Sequence, residues 1–198
     1  MILKMIKSFL LTFFCSSLCI TSFAQHVVTV KNGSFEGEVG EGNIPTSWLA
    51  CGEDSTPDVL PGPWGVYSRA TEGVTYMGLI TRDNGTWETA GQLLDKPLKK
   101  NECYSFKISL ALSAAYAGYN KPVRFRIWGG HKLGEKKQLL VQSDLVNHYE
   151  WKVYNLVFFT NDTYESILLE PYYDTPNKPY RGNLLFDGMS NFTTCIRA

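Results

Sequence analysis

Between residues 104 and 113 the chain alternates without interruption. Tyr104, Phe106, Ile108, Leu110 and Leu112 are apolar, and Ser105, Lys107, Ser109, Ala111 and Ser113 lie between them. Successive side chains of a strand point to opposite faces, so this period predicts an antiparallel strand with one packed and one solvated face. Similar patterning predicts strands over residues 27–31, 65–68, 75–81, 86–93, 103–113, 123–128, 138–142, 151–159, 166–170 and 183–192. Turn chemistry punctuates them: Asn32-Gly33, Pro61-Gly62-Pro63, Asp83-Asn84-Gly85, Gly129-Gly130, Asn161-Asp162 and Gly182-Asn183. No stretch keeps a helical period for long, although residues 132–140 have room for one short helical turn. The strand count and spacing predict an all-β chain, a β-sandwich or jelly roll. Asn84-Gly85 between two such runs predicts a hairpin with positive φ at both turn centres. Residues 37–63 break the pattern, being long, rich in Gly, Pro and acids, and carrying Trp48 and Cys51. Loops of that length are usually functional or pinned by a disulfide.

Residues 1–24 read as an export signal rather than as part of the fold. Lys4 and Lys7 form the positive end, a short apolar run follows, and Ser22-Phe23-Ala24 before Gln25 fits a small-x-small cleavage site. The run is too short to span a bilayer comfortably, which disfavours a retained anchor. Residues 25–198 then form one domain, large enough for a real core and expected to be secreted, periplasmic or at the cell surface.

Charge excludes some partners. The chain has 19 basic and 19 acidic residues, and losing Lys4 and Lys7 leaves 17 and 19, a net charge of −2. That balance makes no electrostatic case for nucleic acid or for an anionic membrane. Three cysteines follow the signal: Cys51, Cys103 and Cys195. An oxidising compartment permits one bridge and leaves one thiol over. Cys103 opens a predicted strand and Cys195 lies near the end of the last; if those strands are antiparallel neighbours, the two cysteines face each other. The alternative is three small hydrophobes and no bridge. Spacing gives no zinc signature, since no Cys-x-x-Cys or paired His is present.

Several ordered fragments carry a resemblance. Asn32-Gly33-Ser34-Phe35-Glu36 opens the chain, followed by Pro45-Thr46-Ser47-Trp48, then Gly73-Val74-Thr75-Tyr76-Met77-Gly78, and the run from Gln92 to Leu98. Gly182-Asn183-Leu184-Leu185-Phe186-Asp187-Gly188-Met189-Ser190 closes it. Together they resemble the galactose-binding-domain-like jelly roll of the carbohydrate-binding-module type. The set is also similar to domains of Gram-negative secreted and envelope proteins, some of them fused to OmpA-type modules. The resemblance implies a structural calcium held by the Glu36 and Asp187 side chains, with Asn32 as a further ligand; carboxylates and turn carbonyls are the hard oxygens that ion takes. The alternative is that Glu36 caps a turn and Asp187 hydrogen-bonds to the first strand.

Sugar rings pair apolar faces with hydroxyl rims, so their sites combine an aromatic platform with planar polar groups. In the strand from Val123 to Trp128, Val123, Phe125 and Ile127 share one face, and Arg124, Arg126 and Trp128 the other. Two arginines do not sit unpaired in a core, so the first face packs and the second is a candidate platform with Trp128 beside Arg126. The alternative is an aromatic stacked on a guanidinium as surface cover. Two tyrosine-rich loops flank it, Tyr116, Tyr119 and Asn120 in one, Tyr172, Tyr173, Tyr180 and Arg181 in the other. Tyr-dense loops either recognise ligands or plug the end of a sandwich. Trp64 offers a further loop aromatic, whereas Trp48, Trp87 and Trp151 read as packing residues.

Catalysis finds little support. His26, His131 and His148 are scattered and pair with no nucleophile motif. Glu88 and Glu170 are the carboxylates to inspect for a glycosidase pair, each more readily explained by a nearby arginine. The expectation is a non-catalytic module that binds a glycan or polysaccharide. A protein-interaction module of the cell envelope is the alternative, and a glycoside hydrolase a distant third.

Overall fold

A computed structural model describes residues 25–176 and 178–195, so the export-signal reading lies outside the described residues. Among the described residues twelve strands run in chain order: β1 Val27–Val28, β2 Leu49–Ala50, β3 Asp58–Leu60, β4 Tyr76–Thr81, β5 Ala90–Leu98, β6 Cys103–Ala111, β7 Val123–Gly130, β8 Gln138–Val146, β9 Lys152–Phe159, β10 Tyr164–Tyr172, β11 Gly182–Asp187 and β12 Phe192–Thr194. They form two antiparallel sheets. One has the order β1-β12-β6-β11-β4-β3, with β9 paired along the other edge of β6; the other is β2-β5-β10-β7-β8. The fold is a jelly-roll β-sandwich. Among the described residues no helix is long and apolar enough to cross a membrane.

The alternation that predicts the strands also decides their faces. Tyr104, Phe106, Ile108 and Leu110 of β6 meet Val123, Phe125 and Ile127 of β7 in the core between the sheets. The other face of the larger sheet is not solvated throughout. Tyr76 and Ile80 of β4, Ala111 of β6 and Leu185 of β11 form a second apolar cluster there with Val66 and Tyr116, with Ala70 and Tyr119 packed against it. The β3–β4 and β6–β7 loops therefore cover part of the face that a strict alternation leaves wet.

Several boundaries differ from expectation, each for a local reason. Residues 65–68 form no strand, because Pro63–Gly65 is a 3-10 turn with Trp64 at φ 56°. β3, unmarked by any alternation, is buried at all three positions and pairs with β4. The run predicted over 183–192 ends at Asp187, where Gly188 takes φ 56°, and resumes as β12. Within residues 132–140 no helix forms: a turn closed by Glu135 N–H to the Lys132 carbonyl leads into β8, which begins at Gln138. In the hairpin after β4, Gly85 has positive φ (90°) but Asn84 does not; the Asn84 side chain instead accepts the Thr86 N–H at 3.0 Å. From that hairpin Trp87 bridges back to Thr81, and the chain then crosses into the second sheet as β5.

Cys103 and Cys195 are joined by a disulfide, and Cys51 is a buried free thiol. No bridge pins the long segment 37–63; it is held by β2, β3 and packing of Trp48 against Phe35 at 5.1 Å.

Candidate functional site

The outward face of the five-stranded sheet is organised by one carboxylate. β7 and β10 are paired so that Trp128 lies opposite Leu168, Arg126 opposite Glu170, and Arg124 opposite Tyr172. Glu170 is fully buried. Its Oε1 accepts the Trp128 indole N–H at 2.8 Å, and its Oε2 accepts the Trp87 indole N–H at 2.8 Å. Lys136, from the turn before β8, ion-pairs with the same carboxylate and lies 5.0 Å from the Trp87 ring centre and 5.9 Å from that of Trp128. Arg126 Nη1 is 3.9 Å from Glu170. A buried carboxylate is tolerable only with such donors around it. In return it fixes both indoles by their N–H edges.

The guanidinium of Arg126 stacks on Tyr172, its Cζ 3.3 Å from the ring centre, and its Nε donates to Gln142 Oε1 at 2.7 Å. Its aromatic partner is thus Tyr172 and not Trp128, whose edge is taken by Glu170. Trp87 meets Tyr172 edge-on at 5.1 Å, extending the aromatic surface. Arg124 is tied down by Asp174 at 2.6 Å and by the Ser143 carbonyl. Trp87, read from sequence as packing, is therefore a member of this surface.

The two tyrosine loops separate. Tyr173 is buried and donates to the Arg82 and Thr86 carbonyls, so it plugs the sandwich end and presents no recognition surface. Tyr180 donates to the Pro122 carbonyl and accepts the Asp174 N–H, which anchors its own loop. Arg181 lies over the Tyr119 ring at 4.8 Å and pairs with Asp83, away from Trp128. Asn120 accepts the Tyr116 N–H across its turn.

Tyr116 and Trp64 belong to a different place, a cleft of about 360 Å³ beside β3 and β4. Tyr116 is buried, and its hydroxyl donates to Asp58 Oδ2 at 2.5 Å; Trp64 Nε1 donates to the same oxygen at 3.1 Å. Gly78, opposite Asp58 in the β3–β4 register, permits this, because a Cβ there would lie 2.4 Å from the Tyr116 hydroxyl. Glu88, also in the cleft wall, accepts from Thr56, from the Ile80 N–H and from Arg82 Nη2 at 2.8 Å. Burial pushes its carboxyl up to about 7, although Thr56, Arg82 and the Ile80 N–H oppose the shift. Glu88 pairs with Arg82 and Glu170 with Lys136, in separate clusters, so the two are not a facing acid pair.

Glu36 and Asp187 both address the turn at residues 71–75. Glu36 Oε1 accepts the Val74 and Thr75 N–H groups at 3.0 and 3.3 Å. Asp187 Oδ2 accepts the Thr71 N–H, the Thr71 hydroxyl and the Glu72 N–H, while Oδ1 takes only the neighbouring Gly188 N–H at 2.7 Å. Burial raises the Asp187 carboxyl from its ordinary value, outweighing those donors. Two carboxylates on one turn, each with an oxygen lightly used, suit a hard cation. Asn32 does not fit as a ligand: its amide nitrogen donates to the Glu36 and Thr46 carbonyls and its oxygen accepts the Glu36 N–H. Among the described residues no three His, Cys, Asp or Glu side chains gather as a metal site, so backbone carbonyls would complete any shell.

No protein-family model matches the chain, and no match was found among curated protein sequences. Solved structures do match. A Stig cyclase from Fischerella sp. TAU, in complex with (3Z)-3-(1-methyl-2-pyrrolidinylidene)-3H-indole, is similar at TM-score 0.58 and 15% identity, over 88% of this chain and 100% of that one. The CBM22-1 xylan-binding domain from Paenibacillus barcinonensis is similar at TM-score 0.50 and 15% identity, over 89% of this chain and 99% of that one. The CBM22-1 and GH10 modules of a Clostridium thermocellum endo-1,4-beta-D-xylanase, complexed with xylohexaose, match at TM-score 0.52 and 12% identity, over 88% of this chain and 29% of that one. These likenesses show the fold alone, a jelly-roll β-sandwich.

Proposed function

We propose that this protein is an exported, non-catalytic carbohydrate-binding module, and that a glycan lies on the outward face of the five-stranded sheet. The observation that carries the reading is the fixing of Trp87 and Trp128 by a single buried carboxylate. Sugar rings stack on indole faces, and rings whose edges are already locked lose little freedom on binding. Arg124, Arg126 and Gln142 flank them with planar polar groups suited to hydroxyls. Similarity to a xylan-binding domain supports a polysaccharide ligand, and a disulfide is what an oxidising compartment permits.

Trp128→Ala is expected to weaken binding in a polysaccharide screen by roughly 30-fold, the effect of losing about 2 kcal/mol at a central aromatic. Near-ultraviolet circular dichroism checks that the variant is folded; unchanged affinity in a folded variant removes the sheet face from consideration. A second reading has its own observation. Val153, Val157 and Phe159 of β9 are exposed at 59, 59 and 68%, an apolar stripe on the opposite sheet of the kind that docks proteins. A clean negative in the glycan screen with folded protein shifts the reading to that face.

A structural calcium at Glu36 and Asp187 would cross-link the opening turn to the last strand of the β4–β11–β6 group. Calcium is expected to raise the thermal midpoint by several degrees over chelator, an increment that Asp187→Asn abolishes. Equal midpoints with calcium and with chelator would show that the two carboxylates serve only the turn.

A further inference from the structure

We propose that the cleft beside β3 and β4 is a second ligand site, separate from the sheet face, that takes one neutral, hydroxyl-bearing ring such as the terminal unit of a glycan. Its volume, about 360 Å³, lies in the range of small-molecule sites and leaves room for little more than a chain end.

Three observations define the ligand. The first is Trp64, which is 43% exposed although its N–H is held by Asp58, so that its ring is fixed in direction and still open to solvent. Trp64 also adopts φ 56°, a left-handed conformation that a bulky residue rarely takes. Strain of this kind gathers at functional sites. The second is Arg82. One of its nitrogens, Nη2, is used by Glu88 and by the Asp54 carbonyl, but Nη1 is buried with no hydrogen-bond partner. A buried donor without an acceptor is costly, and a ligand oxygen would relieve it. The third is that the carboxylates are internally satisfied: Asp58 accepts from Gly42, Trp64 and Tyr116, and Glu88 from Thr56, Ile80 and Arg82.

These features select against charged ligands of either sign. An anion would answer Arg82 but confront Asp58, Glu88 and the Glu41 that also lines the opening. A cation has no lone pair for Arg82 Nη1 and would have to take carboxylate oxygens from existing donors. A ring with an apolar face for Trp64 and a hydroxyl or ether oxygen for Arg82 meets each requirement.

The site is tested by nuclear magnetic resonance on the protein, titrated with the methyl glycosides of glucose, galactose, mannose and xylose at millimolar concentration. The five tryptophans give five indole N–H reporters, of which Trp64 marks the cleft and Trp87 and Trp128 the sheet face. The expected result is a saturable shift of the Trp64 indole and of the Gly42 and Ile80 amides with at least one glycoside. In Trp64→Ala those amide shifts should vanish, and in Arg82→Lys the affinity should fall at least tenfold. Shifts confined to Trp87 and Trp128 overturn the cleft while sparing the sheet-face reading. Shifts confined to the Trp64 group support the cleft and count against the sheet face, and silence in both with every glycoside overturns the cleft.

Discussion

Glu170→Ala is expected to lower the unfolding free energy by about 3 kcal/mol and to abolish glycan binding at the sheet face. Glu170 carries no exposed surface, yet it is the acceptor for two indole N–H groups and the partner of Lys136. Truncation leaves two part-buried N–H donors without acceptors, each worth roughly 1–3 kcal/mol when stranded, and places Lys136 and Arg126 together without a counter-charge. Removing one member of a buried ion pair costs about 3–5 kcal/mol. The lower end applies because the Lys136 side chain is 33% exposed and can turn to water. In thermal melts that is roughly 6–12 °C for a chain of this size. Glu170→Gln keeps the volume and one acceptor oxygen, so it should fall between wild type and alanine. Urea unfolding followed by tryptophan fluorescence measures both variants. A change within about 0.5 kcal/mol, the range of an ordinary surface substitution, would show that the indoles do not depend on this carboxylate.

Much of the scaffold is legible along the chain because strand alternation is a local signal. The stretch from Val123 to Trp128 declares its own faces, and Val123, Phe125 and Ile127 are indeed the core residues of β7. What alternation cannot reveal is which strands become neighbours. Glu170 stands out in sequence as a lone charge in Ile167-Leu168-Leu169-Glu170-Pro171, a signal that it needs partners. Those partners, Trp87 and Lys136, are 83 and 34 residues away and meet it only through the order β5-β10-β7-β8. Arg126 was legible as an outward residue, but its stacking on Tyr172 follows from the β7–β10 register. The cleft was harder still. Asp58 sits in a three-residue strand inside a Pro- and Gly-rich segment too short to show a period, and Arg82 and Glu88 flank a hairpin whose turn chemistry draws the eye away from them. The length of the segment 37–63 was nevertheless informative: it supplies Glu41, Gly42, Thr56 and Asp58 to the cleft wall.

Replacing Cys103 and Cys195 with serine should cost about 4–5 kcal/mol, the largest single loss expected in the molecule. The bridge closes a loop across a sequence separation of 92 residues, which encloses every strand from β6 to β12. Cross-links over long loops restrict the unfolded chain most, and a loop near this length corresponds to about 4.7 kcal/mol in the chain-entropy account. The folded state loses something as well. β12 has three residues and β1 two; β12 pairs with β6 through Thr193 opposite Ser105 and Thr194 opposite Tyr104, and β1 is paired in turn with β12. Without the bridge these short strands depend on hydrogen bonds such as Cys195 N–H to the Cys103 carbonyl and Thr194 N–H to the His26 carbonyl, and they should exchange their amide protons sooner than β6 does. A thermal midpoint lower by roughly 10–15 °C follows. Glycan affinity measured below that midpoint should be unchanged, because the platform belongs to the other sheet. A loss under about 1 kcal/mol would mean that the end strands are held without the bridge and that the unfolded chain is already compact. Weakened binding by the folded variant would instead show that the two sheets are coupled through the core, with Phe125 against Phe186 at 5.8 Å as the first contact to examine.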